Sequence, residues 1–251
     1  MKTLLLCMAF CTFTLFAREP IEKGLEKYQA AEKSQVPEER SKLFNEALSI
    51  YLPYTKENPS GELLGNVGNC YFYLGDIGLA IGYYRNGLVQ SPRNQMIKNN
   101  LSLAIDKGHL FGSQITTPIA DGFALRWLSP YERTLLAIGL IAVSFVLFSL
   151  DVWLPGFGFR PVWTVFAAAT CLLLLMLGAY GLFMPVEAVI VKETQLRTAV
   201  AQEPTTSAVV LHPGEMVEIL SYDPTQEWLR VRTVTGLPGY LPSTSLFCLS
   251  K

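Results

Sequence analysis

The chain has 251 residues, 20 Lys and Arg against 21 Asp and Glu, and half of its residues are hydrophobic, with a mean hydropathy of +0.29. The even charge excludes the electrostatic footprint of a nucleic-acid binder. The apolar excess excludes an ordinary soluble domain and points to membrane segments.

Residues 1–17, MKTLLLCMAFCTFTLFA, combine one Lys, an apolar run and Ala17 ahead of the polar REPIEKG. This is the pattern of a signal peptide, with cleavage expected after Ala17. Lipid modification at Cys11 is the weaker alternative, because MAFC lacks the usual small residue before the cysteine. An uncleaved signal with both soluble parts in the cytoplasm is a further alternative.

Residues 18–108 read as all-α. In the stretch NVGNCYFYLGDIGLAIGYYRNGLVQSP the small residues Gly68, Gly75 and Ala80 alternate with Tyr71 and Tyr84, and Pro92 ends the run. With Gly61 in the first position of a unit of roughly 34 residues, Leu64, Val67, Gly68, Tyr71, Leu74, Gly75, Ala80, Tyr84, Leu88 and Pro92 take the signature places of a tetratricopeptide repeat. Gly68 and Ala80 let two helices approach closely, Tyr71 and Tyr84 fill the space beside them, and Gly75 with Asp76 makes the turn. Gly87, where alanine is usual, is the departure. Ala47, Tyr51 and Pro59 repeat the spacing of Ala80, Tyr84 and Pro92, so PEERSKLFNEALSIYLPYTKENP is the second helix of an earlier unit and IEKGLEKYQAAEKS its first. NQMIKNNLSLAIDKG is expected to close the stack, its apolar stripe formed by Met96, Ile97, Leu101, Ala104 and Ile105.

Residues 109–134 are a linker, followed by two apolar segments at 135–154 and 162–184, each long enough to cross a hydrocarbon core of about 30 Å. The intervening PGFGFRP (155–161) is a Pro/Gly turn, so the segments form a hairpin with both flanks on one side. Asp151 is the intramembrane ionisable residue. It invites a proton-relay reading, but its place four residues from Pro155 favours a structural role near the interface. The loop Lys/Arg bias mildly opposes an exported orientation, whereas the signal peptide favours one.

Residues 185–251 change to short β-branched segments, AVIV, SAVVL, MVEILSY, EWLRVRTV and GYLPSTSL, separated by turn residues. Five strands in so short a span predict a small all-β barrel. LHPGEMVEILSYDPTQEWLRVRTVTGLPGYLPSTSL resembles a bacterial SH3-like domain through Gly214 before an alternating strand, Trp228 with Val231, and Gly239 with Tyr240.

Of the five cysteines, Cys7 and Cys11 fall in the signal, Cys171 in a membrane segment, and Cys70 and Cys248 in different soluble parts. No CxxC or Cys/His spacing suggests a metal. They read as packing residues. His109 follows the closing helix and His212 opens a Pro-Gly turn, neither within a nucleophile-and-base pattern, so no catalytic residue, metal ligand or cofactor is expected and the chain reads as a non-enzyme.

The order of repeat stack, membrane hairpin and SH3-like barrel resembles BatE-type proteins of bacterial aerotolerance operons, over nearly all of the chain after the signal. The resemblance implies a non-enzymatic partner of membrane-bound von Willebrand factor A domain proteins and a MoxR-type AAA ATPase. It implies residence in the bacterial inner membrane, with the repeat and SH3-like domains on the periplasmic side. The resemblance to tetratricopeptide repeats implies that Asn69, Phe72, Tyr73 and Asn99 face a partner-binding groove. Phe72 and Tyr73 could instead pack on the preceding repeat. Tyr222, Trp228 and Tyr240 are the candidate aromatic platform of the barrel, with Trp228 open to a core role instead and Tyr240 the better surface residue. Two functions follow: an envelope scaffold binding a protein through the groove, or a cell-wall sensor whose barrel binds peptidoglycan or peptide.

Overall fold

A computed structural model describes residues 18–56, 59–110, 112, 127–154, 160–183, 186–199, 209–221 and 227–249. The signal segment, most of the linker, the hairpin turn and Tyr222 lie outside the described residues.

The helical part comprises α1 (Arg18–Lys33), α2 (Pro37–Tyr51) with a 3-10 turn at Leu52–Thr55, α3 (Gly61–Leu74), α4 (Ile77–Gln90) and α5 (Gln95–Lys107). Local chemistry sets their ends. Ser60, Asp76 and Asn94 cap α3, α4 and α5 by accepting from the backbone N–H groups of Leu63, Leu79 and Ile97, satisfying donors that the first helical turn leaves open. Gly75 closes α3 in the left-handed region, φ 89°, where a Cβ would be strained. His109 takes a similar conformation, φ 54°, after α5, and so stops the helix as its position suggested.

Helices α1 and α2 pair antiparallel, as do α3 and α4. A Cβ on Gly68 would lie 2.6 Å from the Tyr84 ring, and one on Gly24 would lie 2.4 Å from the Tyr51 ring. The same small-against-large contact therefore holds both pairs together. Ala80, Tyr84, Ala47 and Tyr51 are all buried. Gly87 has a packing reason for lacking a side chain: its Cβ would stand 3.1 Å from the carbonyl oxygen of Gly61.

Two long apolar helices follow, α6 (Pro130–Trp153) and α7 (Arg160–Phe183). Both are long and apolar enough to cross a membrane. Helix α6 starts before the apolar run because Ser129 and Glu132 form a reciprocal capping box. The helices pack as a hairpin, with Ser144 and Thr170 hydroxyls 3.3 Å apart. Asp151 accepts from the Trp163 indole at 3.2 Å and lies 3.7 Å from the Arg160 guanidinium. Its charge is thus partnered inside the hairpin end, as the structural reading of Asp151 anticipated.

The remainder is a curled antiparallel half-barrel of β1 (Val186–Ile190), β4 (Met216–Ser221), β5 (Trp228–Thr233), β6 (Pro238–Pro242) and β7 (Leu246–Cys248), in the order β6-β5-β4-β1-β7. A two-stranded pair, β2 (Thr194–Gln195) with β3 (Val210–Leu211), lies beside it. Within the expected strand SAVVL, Val210–Leu211 form β3, which stays out of the main sheet. The fifth strand is β7, split from β6 by a 3-10 turn at Ser243–Ser245 in which the Ser245 hydroxyl donates to the Pro242 carbonyl. Leu229, Val231, Leu241, Val217, Ile219, Ala188, Ile190 and Leu211 form the sheet's core.

The two soluble parts share a second core. Val189 and Met216 of the sheet are buried with Ala80, Ile81, Tyr84, Ile97, Ala104 and Leu110 of the helical stack. Gly78 and Gly82, one turn apart on α4, make room for this contact: a Cβ on Gly78 would sit 2.6 Å from the carbonyl oxygen of Ile190, and one on Gly82 would sit 2.6 Å from the Phe247 ring. Leu110, turned in by His109, lies against Gly214. A common core requires both parts on one side of any membrane that the hairpin crosses.

Candidate functional site

The inner faces of α1, α3 and α5 meet at Asn69. Its Oδ1 accepts from the Tyr84 hydroxyl and from Asn100 Nδ2, both at 2.8 Å, and its Nδ2 donates to the Tyr28 hydroxyl at 3.2 Å. Tyr28 in turn donates to Glu32 at 3.0 Å. One amide thus ties four helices, because it supplies an acceptor with two lone pairs and a donor from a single planar group. Asn69, expected to offer its amide to a partner, instead spends its polar capacity largely within the fold.

Burial, followed by the nearby Glu32 carboxylate, pushes the Tyr28 phenol well above its usual range. Burial does the same to Tyr84 and Tyr51. The buried Cys70 thiol is pushed up to about 12 by desolvation, so it stays a protonated packing group, unsuited to nucleophilic work.

One turn beyond Asn69 the helix face becomes aromatic. Tyr73 is 43% exposed and stacks on Phe44, ring centroids 4.8 Å apart and planes within 9°. Phe44 meets Tyr28 edge-on at 5.6 Å, and Phe72 meets Tyr73 edge-on at 5.8 Å. The Arg40 guanidinium lies 4.8 Å over the Tyr73 ring and the Lys107 ammonium 4.5 Å over Phe72. Tyr73 therefore packs on the preceding helix pair and still offers its outer surface. Leu25, one turn from Tyr28, and Leu103, one turn from Asn100, are exposed on the same helix faces, since residues three apart share a face. Asn99 is exposed and accepts from Gln95 Nε2 at 2.9 Å. The result is a partly exposed aromatic surface with two cations over its rings, an arrangement that cation–π attraction stabilises.

Arg40, Phe44, Tyr28, Asn100 and Lys107 escaped the sequence reading. The repeat pattern carries signals for close helix packing, whereas these five reach Asn69, Phe72 and Tyr73 only through contacts between helices.

In the sheet, Trp228 and Tyr240 share a face. Trp228 pairs across with Pro242, and Arg230 with Tyr240, while Leu229 and Val231 point to the opposite, buried side. Strand alternation thus takes Trp228 out of the barrel core. The Arg197 guanidinium lies 4.4 Å over its indole, and the Arg197 backbone bridges to Tyr240, whose N–H donates to the Arg197 carbonyl at 2.8 Å. Gly239 leaves room for that bridge, since its Cβ would meet Leu196 at 2.5 Å.

Among the described residues, no three His, Cys, Asp or Glu side chains gather as a metal site. His212 pairs at the surface with Glu193 at 3.5 Å. Compared with protein-family models, curated proteins and solved structures, the chain matches none.

Proposed function

We propose that the chain is a membrane-anchored envelope scaffold that binds a protein partner through the groove of a tetratricopeptide-type helical stack, with an SH3-like half-barrel buttressing the stack. The observation that carries this reading is Tyr73, a large aromatic left 43% exposed while locked by stacking on Phe44 and by Arg40 over its ring. A ring fixed in place and open on one side loses little entropy on binding, which is how anchoring residues of interfaces behave. Phe72, Leu25 and Leu103 extend the apolar surface.

The order of the three parts, as in BatE-type proteins, supports a membrane protein with a von Willebrand factor A domain as the partner, working with a MoxR-type ATPase in stress tolerance. In this reading the chain sits in the bacterial inner membrane with both soluble parts on the periplasmic side, where the signal-like N-terminus would direct them. No reaction is assigned to it. Placing a photo-crosslinking amino acid at position 73 of the full-length protein in its native membrane tests the reading. A covalent adduct with a protein bearing that domain supports it, and none from this position removes it.

A further inference from the structure

The sheet carries a second, partly exposed aromatic surface, and two independent rulers place it at the level where the apolar hairpin begins. The pairs Ser144 with Thr170 and Asp151 with Trp163 fix the hairpin register, which sets Phe183 level with Tyr131. Strand β1 begins at Val186, and so lies within about 11 Å of the end of α7, because consecutive Cα atoms are about 3.8 Å apart. On the helical side, Arg93, just past α4, pairs with Glu132 in the first turn of α6, whereas Gly78 near the start of α4 lies against Ile190 at the far end of β1. Helix α4 therefore runs toward the hairpin and β1 away from it. From Gly78 to Gln90 the helix descends about 18 Å, and β1 climbs about 13 Å.

The ladder extends this to the other strands. Val186 pairs with Ile219, and Ile219 with Val231. Trp228 precedes Val231 on a strand running the same way as β1, so it reaches about 10 Å past Val186 toward the hairpin. At this end the outer face of β5 and β6 presents Trp228 under the Arg197 guanidinium, with Arg230 and Tyr240 paired beside it. Aromatic rings with polar tips interleaved with arginines match the headgroup layer of a bilayer, where rings sit among glycerol and carbonyl groups and guanidinium forks bind phosphates.

We propose that Trp228, Arg197, Arg230 and Tyr240 form a lipid-contacting face that rests on anionic headgroups of the bilayer crossed by α6 and α7. This holds the soluble body in a fixed orientation. The inference rests on the hairpin spanning the membrane, and the test separates the two.

Full-length protein is placed in nanodiscs of phosphatidylcholine, with or without phosphatidylglycerol, containing a headgroup-labelled quenching lipid. The difference in fluorescence between wild type and Trp228→Phe isolates Trp228. Trp153 and Trp163, near the hairpin turn, report insertion by their own quenching. The expected result is quenching of the Trp228 signal in phosphatidylglycerol discs, and loss of that quenching in Arg197→Gln/Arg230→Gln, which retains every tryptophan. Quenching of the hairpin tryptophans without Trp228 overturns the lipid face and leaves the span intact. Quenching of none removes the span and the lipid face together. Retention by purified sacculi that is lost in Trp228→Phe overturns the lipid assignment in favour of the cell wall. Circular dichroism of each variant confirms the folded state.

Discussion

The ring of Phe247, in the last strand of the sheet, lies 4.8 Å from the ring of Tyr83 on α4. Beside it the same ring covers Gly82. Through this contact the segment after the apolar hairpin completes the packing of the segment before it, so the two should unfold together.

Gly78→Val is therefore expected to separate the two parts. Its new side chain would meet the backbone of Ile190, which cannot rotate away, and overpacking of this kind costs about 1 to 3 kcal/mol or more. Thermal unfolding followed by far-ultraviolet circular dichroism and by tryptophan fluorescence should coincide in the wild type and come apart in the variant. Coincident transitions at an unchanged midpoint in the variant would count against the shared core.

Within the helical stack, Ala80→Trp should unfold the domain, since Ala80 has no exposed surface and a large ring there overpacks the close helix contact. Asn69→Ala should destabilise by about 1 to 3 kcal/mol, because it leaves the Tyr28, Tyr84 and Asn100 groups without their shared partner. Tyr73→Ala should leave the fold largely intact. Denaturant midpoints rank the three, and equal damage from all of them would mean that Tyr73 is structural.

Alkaline pH should weaken the helical stack. In the unfolded chain the Cys70 thiol titrates near 9.0 and the phenols near 10.0, whereas burial raises Cys70 and Tyr71 to about 12 and Tyr28, Tyr51 and Tyr84 further. The unfolded chain releases these protons first, so the stability contributed by the neutral groups is complete below pH 9 and is lost as pH rises toward the folded values. The melting temperature should fall as pH rises from about 9 toward about 12, with a later onset in Cys70→Ala. A flat profile would show that these groups are solvated.

Alkaline phosphatase joined after Lys251 should be active, and the same enzyme placed within residues 156–159 inactive, because the hairpin returns the chain to the side on which it started. The opposite pattern would reverse the proposed orientation while preserving the common side that the shared core demands.

The sequence made the helix pairs legible because packing at a close contact admits few residues: Gly68 against Tyr84 is a steric statement that a spacing pattern can carry. The two apolar helices were legible from length and hydropathy alone, and the β character of the C-terminal part from its alternation. Strand partners were not, since Pro242 and Ser243–Ser245 break a segment that composition presents as continuous. The docking of the sheet on α4 was also hidden. Gly78 and Gly82 look like weak helix residues until Ile190 and Phe247 are brought to them. At the groove, Tyr73 was legible as a candidate, but Arg40 and Phe44 were not, because they reach it only when α2 folds over α3.

The groove is tested most directly by paired photo-crosslinking from positions 73 and 240 of the full-length protein in native membranes. Partner docking at the groove predicts one saturable protein adduct from position 73, retained when Tyr240 is replaced by alanine. An adduct from position 240 alone, with none from position 73, would contradict it and assign partner binding to the sheet.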